Sequence, residues 1–228
     1  ERGLELSIKR ILRVGVALLG IKLSVFAVGG IGLAALPLVV ICILSALLVA
    51  GVATRLLSLP ARLGTLVAVG TAICGNTAIV AMAPVIGASD DETSYAVGTI
   101  TVFGLLALVF HPFIAHALFG QEALLSGLFL GTAIHDTAQV AGAGLLYDQQ
   151  FSAPYALEAA TVTKLLRNTF MILVIPLAAL AYHRGNSADS KVQMGIRNAI
   201  PLFVIGFVAM AGLRTWGDTG AAPFGGLL

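Results

Sequence analysis

Lys164 and Arg167 stand three residues apart inside a long apolar run, Pro154–Tyr182. At that spacing both side chains leave one face of a helix. Arg167 is about 15 residues from the polar end near Tyr182, or roughly 22 Å along a helix. If the run lies in a bilayer, that is too deep for easy snorkelling. An ionisable group there costs about 3 kcal/mol or more unless it meets a partner or water. Two chemistries fit. One is an ion pair with Asp136 or Glu158. The other is recognition of an anion, for which a guanidinium offers two parallel donors to a carboxylate, sulfonate or sulfate. His135 and Asp136 form an adjacent titratable pair in a second apolar run. Histidine changes charge near neutral pH, and Asp and His groups inside membranes form proton relays. The pair is therefore a candidate for proton coupling, against the plainer reading that His135 only bonds a carbonyl. Gln139, one turn beyond, would line the same cavity.

These residues sit in a repeated pattern. Gly70-Thr71-Ala72-Ile73-Cys74-Gly75-Asn76-Thr77-Ala78-Ile79-Val80-Ala81 is answered by Gly131-Thr132-Ala133-Ile134-His135-Asp136-Thr137-Ala138-Gln139-Val140-Ala141. Each stretch interrupts an apolar run with a polar break near its middle. At membrane depth such backbone is tolerated only where protein buries it or where it lines a wet cavity. Paired breaks of this kind point to the solute site of a secondary transporter. A helix that restarts in mid-membrane exposes free N–H groups with a partial positive charge. Asn76 with Thr77, and Asp136 with Thr137, are of the types that cap such ends. The two ends form a polar pocket for an anion, or are simply capped. Gly75 permits the turn or a close approach of backbone to a solute. The Cys74 thiol, buried in apolar surroundings, is expected to be inert as a nucleophile.

Composition fixes the setting. The 228 residues are 58% hydrophobic and 11% charged, with a mean hydropathy of +1.00. Soluble domains carry about 25% charged residues, so this is an all-α membrane protein in contact with a lipid bilayer. No basic cluster points to nucleic acid. Neither a metal-ligand cluster nor a catalytic triad is visible, so neither a cofactor nor an enzyme is expected. Cys42 and Cys74 both fall inside apolar runs, which argues against a disulfide framework.

Seven apolar segments follow at about the length a span needs: 12–29, 33–54, 63–87, 95–119, 123–147, 154–182 and 200–213. The breaks fall in 63–87 and 123–147, which either cross the bilayer or enter it as re-entrant hairpins. Basic residues gather before the first segment (Arg2, Lys9, Arg10, Arg13), between the second and third (Arg55, Arg62), and between the last two (Arg184, Lys191, Arg197). The positive-inside rule puts these three regions on the cytoplasmic side. The chain is read as a single transmembrane domain over residues 1–228, and as a piece of a longer protein at both ends.

At the breaks and beside the basic pair, the sequence resembles the YeiH-like family, labelled sulfate exporters. That family in turn resembles the bile-acid:sodium symporter and cation:proton antiporter superfamily. The matching stretches are Ile73–Gly75, Thr101–Gly104, His135–Val140 and Lys164–Arg167. The chain departs from the family pattern at Asn76, Asp136 and Thr137. The resemblance implies an inner-membrane carrier with an elevator-like division into a moving core and a fixed scaffold. Homodimers are common among such carriers, by analogy alone.

The expected solute site comprises Cys74, Gly75, Asn76, Thr77, His135, Asp136, Thr137, Gln139, Lys164 and Arg167. The expected solute is a small anion such as sulfate or a sulfonate. The main alternative is a sodium- or proton-coupled carrier in which Lys164 and Arg167 only balance carboxylates. A non-transporting membrane subunit is the third reading.

Overall fold

The structure is a computed structural model that describes residues 25–185 and 202–219. Among these residues there are helices and no strand. The helices are α1 (Val25–Leu56), α2 (Ala61–Ala72), α3 (Asn76–Ile86), α4 (Asp90–Phe119), α5 (Ala123–Ala133), α6 (Thr137–Phe151), α7 (Ala156–Thr169), α8 (Met171–Gly185) and α9 (Leu202–Thr219). Most of the expected segment 12–29 lies outside the described residues, as do Lys22, Lys191 and Arg197.

Among the described residues, two helices are long and apolar enough to cross a bilayer alone: 27 residues over Gly30–Leu56 and 30 residues over Asp90–Phe119. The second begins earlier than the apolar pattern predicts. Ser89 accepts the Glu92 N–H at 3.2 Å, and the Glu92 carboxylate accepts the Ser89 N–H at 2.8 Å. This reciprocal cap lets the acidic triplet Asp90-Asp91-Glu92 open the helix, where negative charge complements the helix dipole.

Both predicted breaks are present. Segment 63–87 divides into α2 and α3, and segment 123–147 into α5 and α6. A third expectation needs correction: segment 154–182 is not one straight helix. It divides at Phe170 into α7 and α8, bent by 44°. The Thr169 hydroxyl donates to the Leu166 carbonyl, and the Phe170 N–H to the Arg167 carbonyl. Such three-residue bonds tighten the last turn. Pro176, lacking an N–H, weakens the helix that follows.

Two apolar cores result among the described residues. One gathers Val39, Leu66, Val69, Ile73, Ile79, Met82 and Ile175 from α1, α2, α3, α8 and the first break. The other gathers Leu130, Ile134, Val140, Tyr147, Ala156 and Ala160 from α5, α6, α7 and the second break. The α5–α7 contact is very close. A Cβ at Gly127 would stand 2.7 Å from the Ala156 carbonyl oxygen, and one at Gly131 would stand 2.6 Å from that of Ala160. Small residues at i and i+4 let membrane helices approach to backbone contact. The outer surface is strongly apolar: Leu33 is 73% exposed, Leu48 69% and Phe103 64%. Surface of this kind suits acyl chains and would drive aggregation in water.

Candidate functional site

The first halves of both broken helices end on the repeated Gly-Thr-Ala-Ile. α2 stops at Ala72 with Ile73 as its C-cap, and α5 stops at Ala133 with Ile134 as its C-cap. Each end leaves carbonyls without N–H partners and a partial negative charge. The basic pair on α7 meets these carbonyls. Lys164 Nζ donates to Ile73 O at 2.8 Å and to Ile134 O at 3.1 Å. Arg167 donates through Nε to Ala72 O at 2.9 Å. Its terminal nitrogens donate to Thr71 O and Thr132 O. Lys164 is fully buried and Arg167 is 1% exposed. The hydrogen bonds of both cations thus run to backbone carbonyls, in place of the alternative of an ion pair with Asp136 or Glu158. These bonds use two of the three N–H groups of the Lys164 ammonium and three of the five of the Arg167 guanidinium.

The two breaks touch. Gly75 has φ +68°, and a Cβ there would lie 3.0 Å from Ile100 Cγ2 and 3.6 Å from the His135 carbonyl. With ψ −120°, this backbone conformation belongs to glycine. The adjoining Cys74 is 4% exposed.

The second halves start differently. Asp136 caps α6, its Oδ1 accepting the N–H groups of Ala138 at 2.9 Å and Gln139 at 3.3 Å. That expectation holds. The matching expectation for α3 does not. Gly75 occupies the N-cap position and supplies no side chain. Asn76 is the first helical residue, and its Nδ2 donates to Thr101 Oγ1 at 3.0 Å. Thr77 makes no cap either. The extra residue in the first break shifts Asn76 out of register with Asp136. Thr137 Oγ1 accepts from Asn168 Nδ2 at 3.2 Å, so Thr137 faces α7. Gln139 is 8% exposed, and its Nε2 donates to Thr101 O at 3.4 Å. His135 Nδ1 is buried without a hydrogen-bond partner.

Three contributors were not assigned to the site from sequence. Thr101 on α4 joins Asn76 to Gln139. Gly104, one turn further, leaves room for the Gln139 amide, which would collide with any Cβ there. Asn168 reaches the start of α6. The spacing of Thr101 and Gly104 on one helix face was the available signal. Formally, two cations and one carboxylate meet at this crossing.

Broken helices meeting around buried charge, inside a bundle with an apolar exterior, define a polytopic helical membrane protein. The chain belongs to the family described as Conserved hypothetical protein 698, whose model matches residues 1–222. It is 34% identical over 210 residues to a UPF0324 membrane protein of Streptococcus pneumoniae, covering 91% of this chain and 61% of that protein. A UPF0324 membrane protein of Bdellovibrio bacteriovorus is 37% identical over 207 residues, 90% of this chain and 61% of that one. One from Fusobacterium nucleatum is 30% identical over 217 residues, 94% of this chain and 62% of that one. The chain thus spans about three fifths of the length of these relatives. Their names state a membrane protein and go no further. No solved structure matches the chain.

Proposed function

We propose that this chain forms the solute-binding part of a secondary transporter in a bacterial inner membrane, and that the solute is a small anion such as a sulfonate or sulfate. One observation carries the reading: Lys164 and Arg167 are buried where the two breaks cross, and the neighbouring Asp136 carboxylate bonds main-chain N–H groups of α6. Two N-terminal and two C-terminal helix ends meet there, each worth about half a charge of either sign. They offset one another, so the formal count leaves one positive charge in a region of low dielectric. Such an excess is stabilised by an anion. His135 and Asp136, adjacent in the break, are the candidates for proton coupling.

A second reading has its own support. Asn76 Oδ1 and Gln139 Oε1 are buried acceptors without partners on either side of Thr101. Acceptor oxygens beside a carboxylate suit a coupling sodium ion.

The test is flux through the full-length protein in proteoliposomes, with labelled sulfate and sulfonates under imposed proton or sodium gradients. Uptake driven by one gradient, and lost in Asp136→Asn, supports a coupled anion carrier. Vesicles no more permeable than empty ones to every anion under both gradients would remove it.

A further inference from the structure

Both broken segments fold back on themselves. A Cβ at Gly70, near the end of α2, would stand 2.8 Å from the side chain of Ile79, one turn into α3. Along one continuing helix these positions would lie about 13 Å apart. At the far ends of the two arms, Arg55, Ala61 and Tyr182 line one groove, and His183 Nε2 lies 3.3 Å from the Val85 carbonyl oxygen. The end of α1, the start of α2, the end of α3 and the end of α8 therefore share one mouth.

The second segment repeats this elsewhere. The Ser126 hydroxyl donates to the Tyr147 hydroxyl at 2.9 Å across 21 positions, which a continuing helix would hold about 30 Å apart. Tyr147 in turn donates to the Gly120 carbonyl, and the Phe151 ring stacks on that of His116 with centroids 3.9 Å apart. The end of α4, the start of α5 and the end of α6 thus share a second mouth. α7 also begins here, its Leu157 N–H donating to Asp148 Oδ1 at 3.2 Å.

α4 separates the two mouths. It starts at Asp90, just after α3 ends at Ile86, and stops at Phe119, just before α5 begins at Ala123. Its 30 residues make a helix about 45 Å long, against about 30 Å for the hydrocarbon core of a bilayer. α7 and α8 make the return path. They run from the second mouth, past the two tips that Lys164 and Arg167 join, to the first mouth.

We infer that neither broken segment spans the bilayer: each is a re-entrant hairpin, and the two enter from opposite faces and meet tip to tip. Residues 25–86 and 90–151 are then two helix-plus-hairpin units of opposite orientation. Each hairpin fills one half of the membrane's depth, so the crossing is closed towards each face by a different lid. Arg55, Arg62 and Arg184 flank the first mouth, whereas the connections at the second, 120–122 and 152–155, hold no lysine or arginine. The positive-inside rule makes the first mouth cytoplasmic. Opposed units of this kind place the solute site of secondary transporters at their interface, but the topology stands whatever the solute.

The test places single cysteines at four exposed positions of the full-length protein, freed of its native cysteines. A membrane-impermeant maleimide is applied to right-side-out and inside-out vesicles. Ala61→Cys and Asp91→Cys should both label from the cytoplasmic face, and Gln121→Cys and Gln150→Cys both from the outer face. Spanning segments would split each pair, with Asp91 outside and Gln121 inside. Epitope tags inserted after Ala88 and after Gln121 in the otherwise native chain report the same faces by antibody access. The reading therefore does not depend on the cysteine-free protein folding. A split within either pair, or all four positions labelling from one face, would overturn the inference and leave the anion-carrier reading to its own flux test.

Discussion

Ile73 and Ile134, corresponding residues of two repeats 61 positions apart, present their carbonyl oxygens to one ammonium group, that of Lys164. Thr71 and Thr132 share Arg167 in the same way. The repeated Gly-Thr-Ala-Ile is therefore the terminus of two half-helices, and the basic pair on α7 joins one terminus to the other. Five carbonyls of the repeats, those of Thr71, Ala72, Ile73, Thr132 and Ile134, take these bonds. The cations neutralise the negative ends of both helix dipoles where water is excluded.

If the basic pair holds the crossing together, its removal lowers stability before it affects any solute. Arg167→Met leaves three buried carbonyls without donors, and is expected to cost about 3 kcal/mol or more. Arg167→Lys keeps the charge and loses the planar fork, so it should still destabilise by about 2 kcal/mol. Thermal unfolding in detergent measures both. An unchanged midpoint in Arg167→Met would show that the carbonyls find other donors.

The α5–α7 contact tolerates no added methyl. Gly131→Ala places a Cβ 2.6 Å from the Ala160 carbonyl oxygen and 2.7 Å from Thr163 Cβ, neither of which is the end of a flexible side chain. The expected loss is about 2 kcal/mol. Gly98→Ala, on the open face of α4 with nothing within 4 Å, is the control. It should be neutral or gain up to about 1 kcal/mol from helix propensity. Equal midpoints for the two variants would contradict the packing described for α5 and α7.

Tyr147 ties three elements together. Its hydroxyl donates to Gly120 O at 2.6 Å and accepts from Ser126 Oγ at 2.9 Å, with both side chains fully buried. Tyr147→Phe leaves the Ser126 hydroxyl and the Gly120 carbonyl unpaired, for an expected loss of about 1–3 kcal/mol. Ser126→Ala costs less. The double variant should fall short of the sum by at least about 0.5 kcal/mol. Strict additivity in unfolding measurements would show that the two hydroxyls do not interact.

The cap made by Asp136 can be separated by mutation from the coupling role proposed for it. As the cap of α6 it accepts two N–H groups, a role that asparagine also performs. Asp136→Ala should cost about 1 kcal/mol, whereas Asp136→Asn should cost much less. Any proton- or sodium-driven flux should be lost in both. Gradient-driven flux that survives in Asp136→Asn would confine the carboxylate to capping.

The membrane setting was legible in the chain because it follows from composition: 11% charge cannot clothe a soluble surface of this size. The breaks were legible too, since glycine, asparagine, histidine and aspartate interrupt apolar periodicity in a way that no lipid-exposed helix sustains. The Asp136 cap followed from residue type and position, both local properties. The matching cap by Asn76 did not hold, because one extra residue in the first break moved the cap position to Gly75.

What the tertiary structure alone decided was which group meets which. Residue types presented Lys164 and Arg167 as free donors for an anion or as partners of a carboxylate. Their partners turned out to be main-chain carbonyls 30 to 96 positions away. No side-chain pattern records a carbonyl, since every residue has one and only its place in a helix leaves it free. The roles of Thr101, Gly104 and Asn168 were hidden for a related reason. A threonine, a glycine or an asparagine on an apolar helix gains its function from what packs opposite, and that is fixed only when α4, α6 and α7 close around the breaks.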